Sequence, residues 1–197
     1  KNGMVNMANI DYHYRPTDDS DPFQTDIVIL SGKQDRFMPK FNYKGFQFVE
    51  VSSSAPIQLS DENLIAVEMH SDVPIIGYWS SSSDLLNKIW KATNSSYLAN
   101  LFGYPTDCPQ REKNGWTGDA HIAIETGLYN FDGISIYEKW MNDFCDEQKD
   151  NGVLPCIIPT SVWGYDWANG VDWTSAVAII PWEIYRFYGD TTLLRRM

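Results

Sequence analysis

Three carboxylates lie close together in the segment DCPQREKNGWTGD, at Asp107, Glu112 and Asp119. Their spacings of five and seven residues match neither a helix face nor a strand face, so a shaped loop must set their relative positions. Prolines stiffen this segment, and glycines on either side of Trp116 permit tight turns. Crowded carboxylates are typical of sites that transfer protons. The segment therefore indicates acid–base chemistry.

Each charged residue of this segment also has a purely structural interpretation. In that interpretation Asp119 caps a helix, Asp107 forms an Asx turn, and Arg111 pairs with Glu112 at the surface. The crowding of acids with an arginine and a tryptophan favours a site over these separate roles. Glycoside hydrolysis uses such parts: a protonated carboxylic acid, a second carboxylate, and further groups that hold sugar hydroxyls. It needs neither a cofactor nor a metal, and none is predicted here.

A second segment, PTSVWGYDWANGVDW, places aromatic side chains beside acids between residues 159 and 173. It contains Trp163, Tyr165, Trp167 and Trp173. Planar aromatic rings with polar edges suit both a sugar-stacking wall and a packed core. The residue pattern alone leaves both interpretations open.

The cysteines and histidines indicate no further chemistry. Cys108 and His121 lie on opposite sides of the acidic segment without a local nucleophile–base signature. Cys108, Cys145 and Cys156 have no zinc-ligand spacing, and an odd count leaves at least one free thiol. A metal site is therefore not predicted.

Composition limits the class of partner. The 197-residue chain has a formal net charge of −11, which excludes nucleic acid and anionic membranes as main partners because both are polyanions. No apolar run is long enough to span a membrane. A neutral or cationic ligand is expected. The compartment and the oligomeric state are not fixed by the sequence, although a secreted or periplasmic location is favoured over a cytoplasmic one.

The elements that must position these loops change character near residue 78. Before it, TDIVILSG, FQFVEVSS and LIAVEMHS are β-branched or alternating segments separated by turn residues. Residues 1–78 are therefore predicted to form part of an antiparallel β-sandwich. Residues 79–197 are predicted to be all-α.

Four amphipathic patterns and the start of a fifth follow residue 78. They predict helices over 84–102, from near Asp119, over 135–149 and over 173–188, and another in TTLLRRM. Pro181 falls inside the fourth pattern, where we expect a kink or a local break. The fifth pattern runs to Met197 without a capping residue, which predicts a piece of a longer protein.

The acidic segment carries a family resemblance. PTDCPQREKNGWTGDA closely resembles the signature of the family 78 glycoside hydrolases, the α-L-rhamnosidases, which reads D-C-P-Q-R-(D)-E followed by G-W-T-G-D. FMPKFNYKGFQFVEV, SSSDLLNKIW and AIIPWEIYRFYGDTTLL resemble further parts of the family. The resemblance implies a β-sandwich followed by an (α/α)6 barrel that is incomplete in this chain.

The resemblance also implies roles for individual residues. Glu112 would be the general acid that protonates the glycosidic oxygen. Asp107 and Asp119 would hold rhamnose hydroxyls, and Arg111 and Trp116 would line the same pocket. The implied reaction is the exo-hydrolysis of terminal α-L-rhamnosides in oligosaccharides, polysaccharides or glycoconjugates.

Inversion of configuration and further aromatic walls are implied as well. Trp163 and Trp173, with Tyr165 and Trp167, would be additional walls of the pocket. An inverting enzyme activates water with a second carboxylate roughly 6.5–9.5 Å from the first. The resemblance places that glutamate in a later part of the barrel, beyond Met197.

Two departures from the family pattern affect specificity. Where many relatives read G-W-G-D-A, this chain has DWTSA from Asp172 to Ala176, so Ser175 replaces the usual aspartate. Lys113 and Asn114 replace a frequent Arg-Leu pair. The alternatives to an enzyme are a non-catalytic carbohydrate-binding protein that keeps the pocket and a purely structural helical module.

Overall fold

The structure is a computed structural model that describes residues 24–167 and 170–197. These residues form two compact units. The first contains the described residues up to Met69 together with Pro109–Glu112, and the second contains His70–Cys108 together with Lys113–Met197. The first 23 residues of the predicted sandwich lie outside the described residues.

The first unit lacks the predicted strand pairing. Between residues 24 and 69 the chain forms turns and irregular segments without a β-ladder. Apolar side chains of all three predicted strands are exposed, as at Ile29 (93%), Phe48 (74%) and Ile65 (70%). Alternation defines the two faces of a strand, but a sheet forms only when a neighbouring strand accepts its hydrogen bonds. The three predicted segments therefore form no β-ladder with one another among residues 24–69.

The second unit is helical. Its helices in the described residues are α1 Asp84–Ala99, α2 Thr117–Asn130, α3 Ile134–Glu147, α4 Val171–Thr174, α5 Ala176–Tyr188 and α6 Thr192–Arg196. The predicted starts at 84, near 119 and at 135 lie within two residues of the observed starts of α1, α2 and α3. The periodic apolar pattern thus locates these helices correctly.

The core of the second unit forms around α2, which packs against α1, α4 and α5. Its buried face meets apolar side chains from α3, α5 and the segment between α3 and α4. The largest fully buried members are Tyr137, Trp140 and Phe144 of α3 and Ile180 and Ile184 of α5. α1 contributes no buried residue to this core. The start of α2, where the acidic segment ends, is consequently fixed to the best-packed part of the unit.

Helix α5 differs from its prediction. The interruption comes at Ser175, which separates α4 from α5, whereas Pro181 lies buried inside a continuous α5. Pro181 is in the second turn of α5, so its missing N–H removes only one backbone bond. The predicted local break at Pro181 is therefore wrong. Gly189 ends α5 with φ +70°, a left-handed conformation that glycine adopts without strain.

Among the described residues, no helix has the length and apolar character needed to cross a bilayer.

Candidate active site

Asp107 closes the base of the loop that follows it. Its N–H donates to the Asn114 carbonyl at 3.1 Å, and its Oδ1 accepts the Asn114 N–H at 3.0 Å. The Cys108 thiol donates to Oδ2 of Asp107 at 2.8 Å, and Lys113, at φ +55°, donates its N–H to the Cys108 carbonyl. Both carboxylate oxygens of Asp107 therefore accept hydrogen bonds from residues of this loop.

The segment after this loop is attached to residues that follow α3. Trp116 and Ile157 form an antiparallel bridge, and Ile158 donates its N–H to the Gly115 carbonyl at 2.9 Å. Thr117, which is fully buried, donates both its N–H and its hydroxyl to the Cys156 carbonyl. Trp116 is the N-cap of α2. Its position is thus set by backbone bonds from a distant part of the chain.

Four predicted wall residues of the second unit lie together. The Trp116 ring contacts Trp167 at a centroid distance of 5.6 Å and Trp173 at 6.2 Å, both edge to face. Trp163 contacts Trp167 at 5.7 Å. Edge-to-face packing is the favoured geometry for aromatic pairs. Trp116 and Trp167 are therefore each shared by two ring pairs. We call Trp116, Trp163, Trp167 and Trp173 the tryptophan cluster.

Trp173 packs directly on the backbone of α2. A Cβ placed on Gly118 would lie 2.7 Å from Cε2 of Trp173, so only glycine permits this contact. The Nε1 atom of Trp173 is buried and has no hydrogen-bond partner among the described residues. The next residue of α2, Asp119, is exposed and lies in the first turn, where a carboxylate is favoured by the helix dipole. Asp119 is not the helix cap.

Tyr165 is held by the end of α3. Its hydroxyl lies 2.7 Å from the Glu147 carbonyl and 2.8 Å from Oε2 of Glu147, and it donates to these acceptors. Burial and then the hydrogen bond to the Glu147 carboxylate raise the pKa of Tyr165. Sequence reasoning missed Glu147, since its partners lie 13 and 18 residues further along the chain.

Arg111 and Glu112 belong to the first unit. Arg111 is exposed and Glu112 is half-buried. The neighbouring Gln110 accepts a hydrogen bond on its carbonyl from the Gln24 side chain at 2.8 Å and lies against Gly45. Within residues 24–167 and 170–197, no group of three or more potential metal ligands is arranged to hold an ion.

Comparison with protein-family models gives two matches that together span nearly the whole chain. Residues 74–197 match the bacterial α-L-rhamnosidase six-hairpin glycosidase domain, and residues 1–70 match the bacterial α-L-rhamnosidase concanavalin-like domain. The chain belongs to the bacterial α-L-rhamnosidase family. The resemblance inferred from the acidic segment is thereby confirmed at the level of the family.

Relatives within the α-L-rhamnosidase family are much longer than this chain. It is 34% identical over 160 residues to an α-L-rhamnosidase of Alteromonas sp. (strain LOR), covering 80% of this chain and 17% of the relative. An α-L-rhamnosidase of Streptomyces avermitilis is 30% identical over 173 residues, covering 86% of this chain and 16% of the relative. The chain therefore spans about a sixth of the length of the curated relatives it matches.

Solved structures of the family share the fold of part of this chain. The α-L-rhamnosidase of Dictyoglumus thermophilum aligns with a TM-score of 0.61 and 39% identity, covering 64% of this chain and 14% of that one. The Streptomyces avermitilis α-L-rhamnosidase, solved in complex with L-rhamnose, aligns with a TM-score of 0.57 and 28% identity, covering 64% of this chain and 12% of that one.

The departure from the family pattern at Ser175 lies between α4 and α5. Ser175 accepts the N–H groups of Ala178 and Ile179 on its carbonyl, so it starts α5. Asp172 lies on α4, and its carbonyl contacts Nε2 of His121 on α2 at 2.9 Å. His121 thus joins α4 to α2 by a structural contact.

Proposed function

We propose that the protein containing this chain hydrolyses terminal α-L-rhamnosides by exo-cleavage with inversion of configuration. The observation that supports this most is the tryptophan cluster at the start of α2, whose member Trp116 is part of the acidic family signature in the sequence. Aromatic faces bind sugar rings, and a glycosidase adds carboxylates to them. Membership of the α-L-rhamnosidase family supports the same reaction and a rhamnose-containing glycan or glycoside as substrate.

The proposed mechanism assigns Glu112 as the general acid. In its protonated form Glu112 donates to the glycosidic oxygen as the bond to the anomeric carbon breaks. A water activated by a second carboxylate attacks the opposite face of the sugar, which inverts the anomeric centre. The second carboxylate is not assigned to a residue of this chain. Two carboxylates suffice for this chemistry, so the mechanism uses no cofactor.

The remaining candidate residues are proposed to bind the substrate. Asp107 and Asp119 accept hydrogen bonds from rhamnose hydroxyls, because ionised carboxylates are strong acceptors. Arg111 donates to the sugar or to a neighbouring carboxylate. The acceptor role of both Asp107 oxygens and the exposure of Asp119 are compatible with these roles. Trp116, Trp163 and Trp173 are proposed as walls of the site.

For the architecture we propose that residues 1–78 form part of an antiparallel β-sandwich and residues 79–197 the first part of an (α/α)6 barrel. The two family-model matches and the helices of the second unit support this division.

The first test replaces Glu112 by glutamine in the full-length protein. We expect turnover of an alkyl α-L-rhamnoside to fall by about 10²–10⁴-fold, because its leaving group departs only when protonated. Turnover of a dinitrophenyl α-L-rhamnoside should fall much less, since that leaving group needs no proton. Glu138→Gln, a half-buried glutamate of α3, is the control and should leave both rates unchanged.

Equal losses on both substrates, or near-normal turnover of the alkyl rhamnoside, would contradict the assignment of Glu112. Proton NMR of the first-formed sugar tests the stereochemistry: β-L-rhamnose indicates inversion, and α-L-rhamnose rejects it. Rhamnose binding by the parent protein without any turnover would favour the non-catalytic carbohydrate-binding alternative.

A further inference from the structure

We infer that Glu147 is a positioning residue for substrate binding, which holds the loop of residues 160–167 so that Trp163 and Trp167 stand beside Trp116. The inference rests on the proposed function, because it names a residue that shapes the same site. Glu147 lies at the last position of α3 and was not among the candidates from the sequence.

The carboxylate of Glu147 binds both ends of this loop. Oε1 accepts the Thr160 N–H at 3.1 Å, and Oε2 accepts the Tyr165 hydroxyl at 2.8 Å. The Glu147 carbonyl lies 2.7 Å from the same hydroxyl. Hydrogen bonds to a charged group are stronger than those between neutral groups. One side chain therefore fixes two points of the loop that are five residues apart in sequence.

The loop itself has a conformation that needs such support. Ser161 adopts φ +46°, which is unfavourable for a residue with a side chain, and Gly164 adopts φ +73°. Thr160 donates its hydroxyl to the Gly164 carbonyl at 2.9 Å, and Lys149 places its ammonium group 4.0 Å from the centre of the Tyr165 ring. Unfavourable backbone conformations persist only where the surroundings determine them.

The tryptophans of the loop connect the Glu147 contacts to Trp116. Trp167 donates its Nε1–H to the Trp163 carbonyl at 2.8 Å, and the two rings are in contact. Trp167 then contacts Trp116 edge to face. A shift of the loop must therefore move the Trp167 ring relative to Trp116. Glu147 thus acts on the tryptophan cluster through this loop, and it also holds Tyr165 directly by its hydroxyl.

The expected effect is on binding. Glu147→Ala in the full-length protein removes both side-chain contacts and frees the loop, so KM for an aryl α-L-rhamnoside should rise about five- to tenfold while kcat changes little. Glu147→Gln should largely restore KM, because its amide oxygen still accepts the Thr160 N–H and its NH₂ can donate to the Tyr165 hydroxyl. Tyr165→Phe, which removes one contact, should lie between parent and Glu147→Ala.

Asp146→Ala is the matched control. Asp146 precedes Glu147 on α3 and is exposed, so its removal deletes the same charge from the same helix end. KM should stay at the parent value in this variant. An equal rise in KM for Asp146→Ala and Glu147→Ala would overturn the inference, because the loss of one negative charge at this helix end would then explain the whole effect.

A double-mutant cycle with Trp167→Ala tests the path of the effect. If Glu147 acts through the ring, Glu147→Ala should raise KM by less than about twofold once Trp167 is absent. A rise as large as in the parent would overturn the inference. An unchanged KM in a folded Glu147→Ala variant would overturn it as well.

Near-UV circular dichroism separates this inference from the proposed function. The coupled tryptophan bands should weaken in Glu147→Ala and persist in Asp146→Ala, whether or not the parent is a rhamnosidase. If the parent does not cleave rhamnosides, the proposed function has failed, and the spectra alone decide whether Glu147 positions the rings. Identical spectra for both variants and the parent then reject it.

Discussion

Replacing Gly118 by alanine tests the contact between α2 and Trp173. A helical glycine normally gains stability on replacement by alanine, by up to about 1 kcal/mol. Here the added Cβ would lie 2.7 Å from Cε2, 2.8 Å from Cδ2 and 2.9 Å from Nε1 of the Trp173 ring. These distances are below van der Waals contact, so the indole must move away from α2.

The sign of the effect follows from comparing two energies. Forcing a ring out of a well-packed position costs about 1–3 kcal/mol. The gain in helix propensity in the first turn offsets about 0.5 kcal/mol of that. We therefore expect Gly118→Ala to destabilise the protein by about 1–2 kcal/mol. Because Trp173 also contacts Trp116, KM for a rhamnoside should rise.

The measurement is made in two backgrounds. Urea unfolding of the full-length protein is followed by far-UV circular dichroism, with amide hydrogen exchange in α2 as the local readout. In a Trp173→Ala background the obstruction is gone, so Gly118→Ala should stabilise α2 by about 0.5 kcal/mol. The reversal of sign is the critical result.

Gly133→Ala is the control for glycine replacement. Its added Cβ would lie 3.7 Å from Cε2 of Tyr137, an ordinary contact, and its backbone has φ −101°. Gly133 is the N-cap of α3, where alanine is less favourable than glycine, so the change should cost about 0.5–1 kcal/mol and cost the same with and without the Trp173 ring. If Gly118→Ala has the same effect with and without the Trp173 ring, crowding by that ring is refuted as the cause.

Two further predictions concern stability. The pKa of Tyr188 is raised to about 12 by burial and by the hydrogen bond its hydroxyl donates to Asp132 at 2.9 Å. The free energy of unfolding should therefore fall as the pH rises from 10.0, the pKa of Tyr188 in the unfolded chain, toward about 12. Tyr188→Phe should reduce this fall by about 1 kcal/mol, a value that allows for solvent screening. Urea unfolding midpoints of both proteins below and above pH 10 measure the difference. A fall of equal size in both proteins would contradict this reasoning. Thr117→Val removes the hydrogen bond from the Thr117 hydroxyl to the Cys156 carbonyl at 3.0 Å and should lower the free energy of unfolding by about 1 kcal/mol. Thr117→Ser keeps that bond and is the control. Equal unfolding midpoints for the valine variant and the parent would refute the predicted destabilisation.

The sequence located the helices more readily than it could identify the partners of each strand, for a physical reason. A helix makes its backbone bonds within one segment, so the spacing of Leu85, Ile89 and Trp90 is enough to locate α1. A strand depends on partners elsewhere in the chain, which alternation does not identify. The break predicted at Pro181 is absent because a proline in an early turn removes one backbone hydrogen bond without ending the helix.

The sequence suggested which residue types form the candidate site, but it did not indicate which of them contact one another. Aromatic side chains beside acids left a sugar-stacking wall and a packed core both open, and the structure brings Trp116 into contact with Trp167 and Trp173. Nothing in the local sequence identified Glu147, since an acid at the end of an amphipathic helix is usually solvated. Its role depends on a turn that brings Thr160 and Tyr165 back to α3.

Under the proposed function, the tryptophan cluster has a consequence for changing substrate preference. Because Trp116 contacts both Trp167 and Trp173, the position of each ring depends on the others. Replacing one ring leaves its neighbours without their packing surface, so the effects of single substitutions will not add. A library aimed at a different aglycone should therefore vary these positions in combination, with Gly118 retained so that position 173 can still accept an aromatic ring.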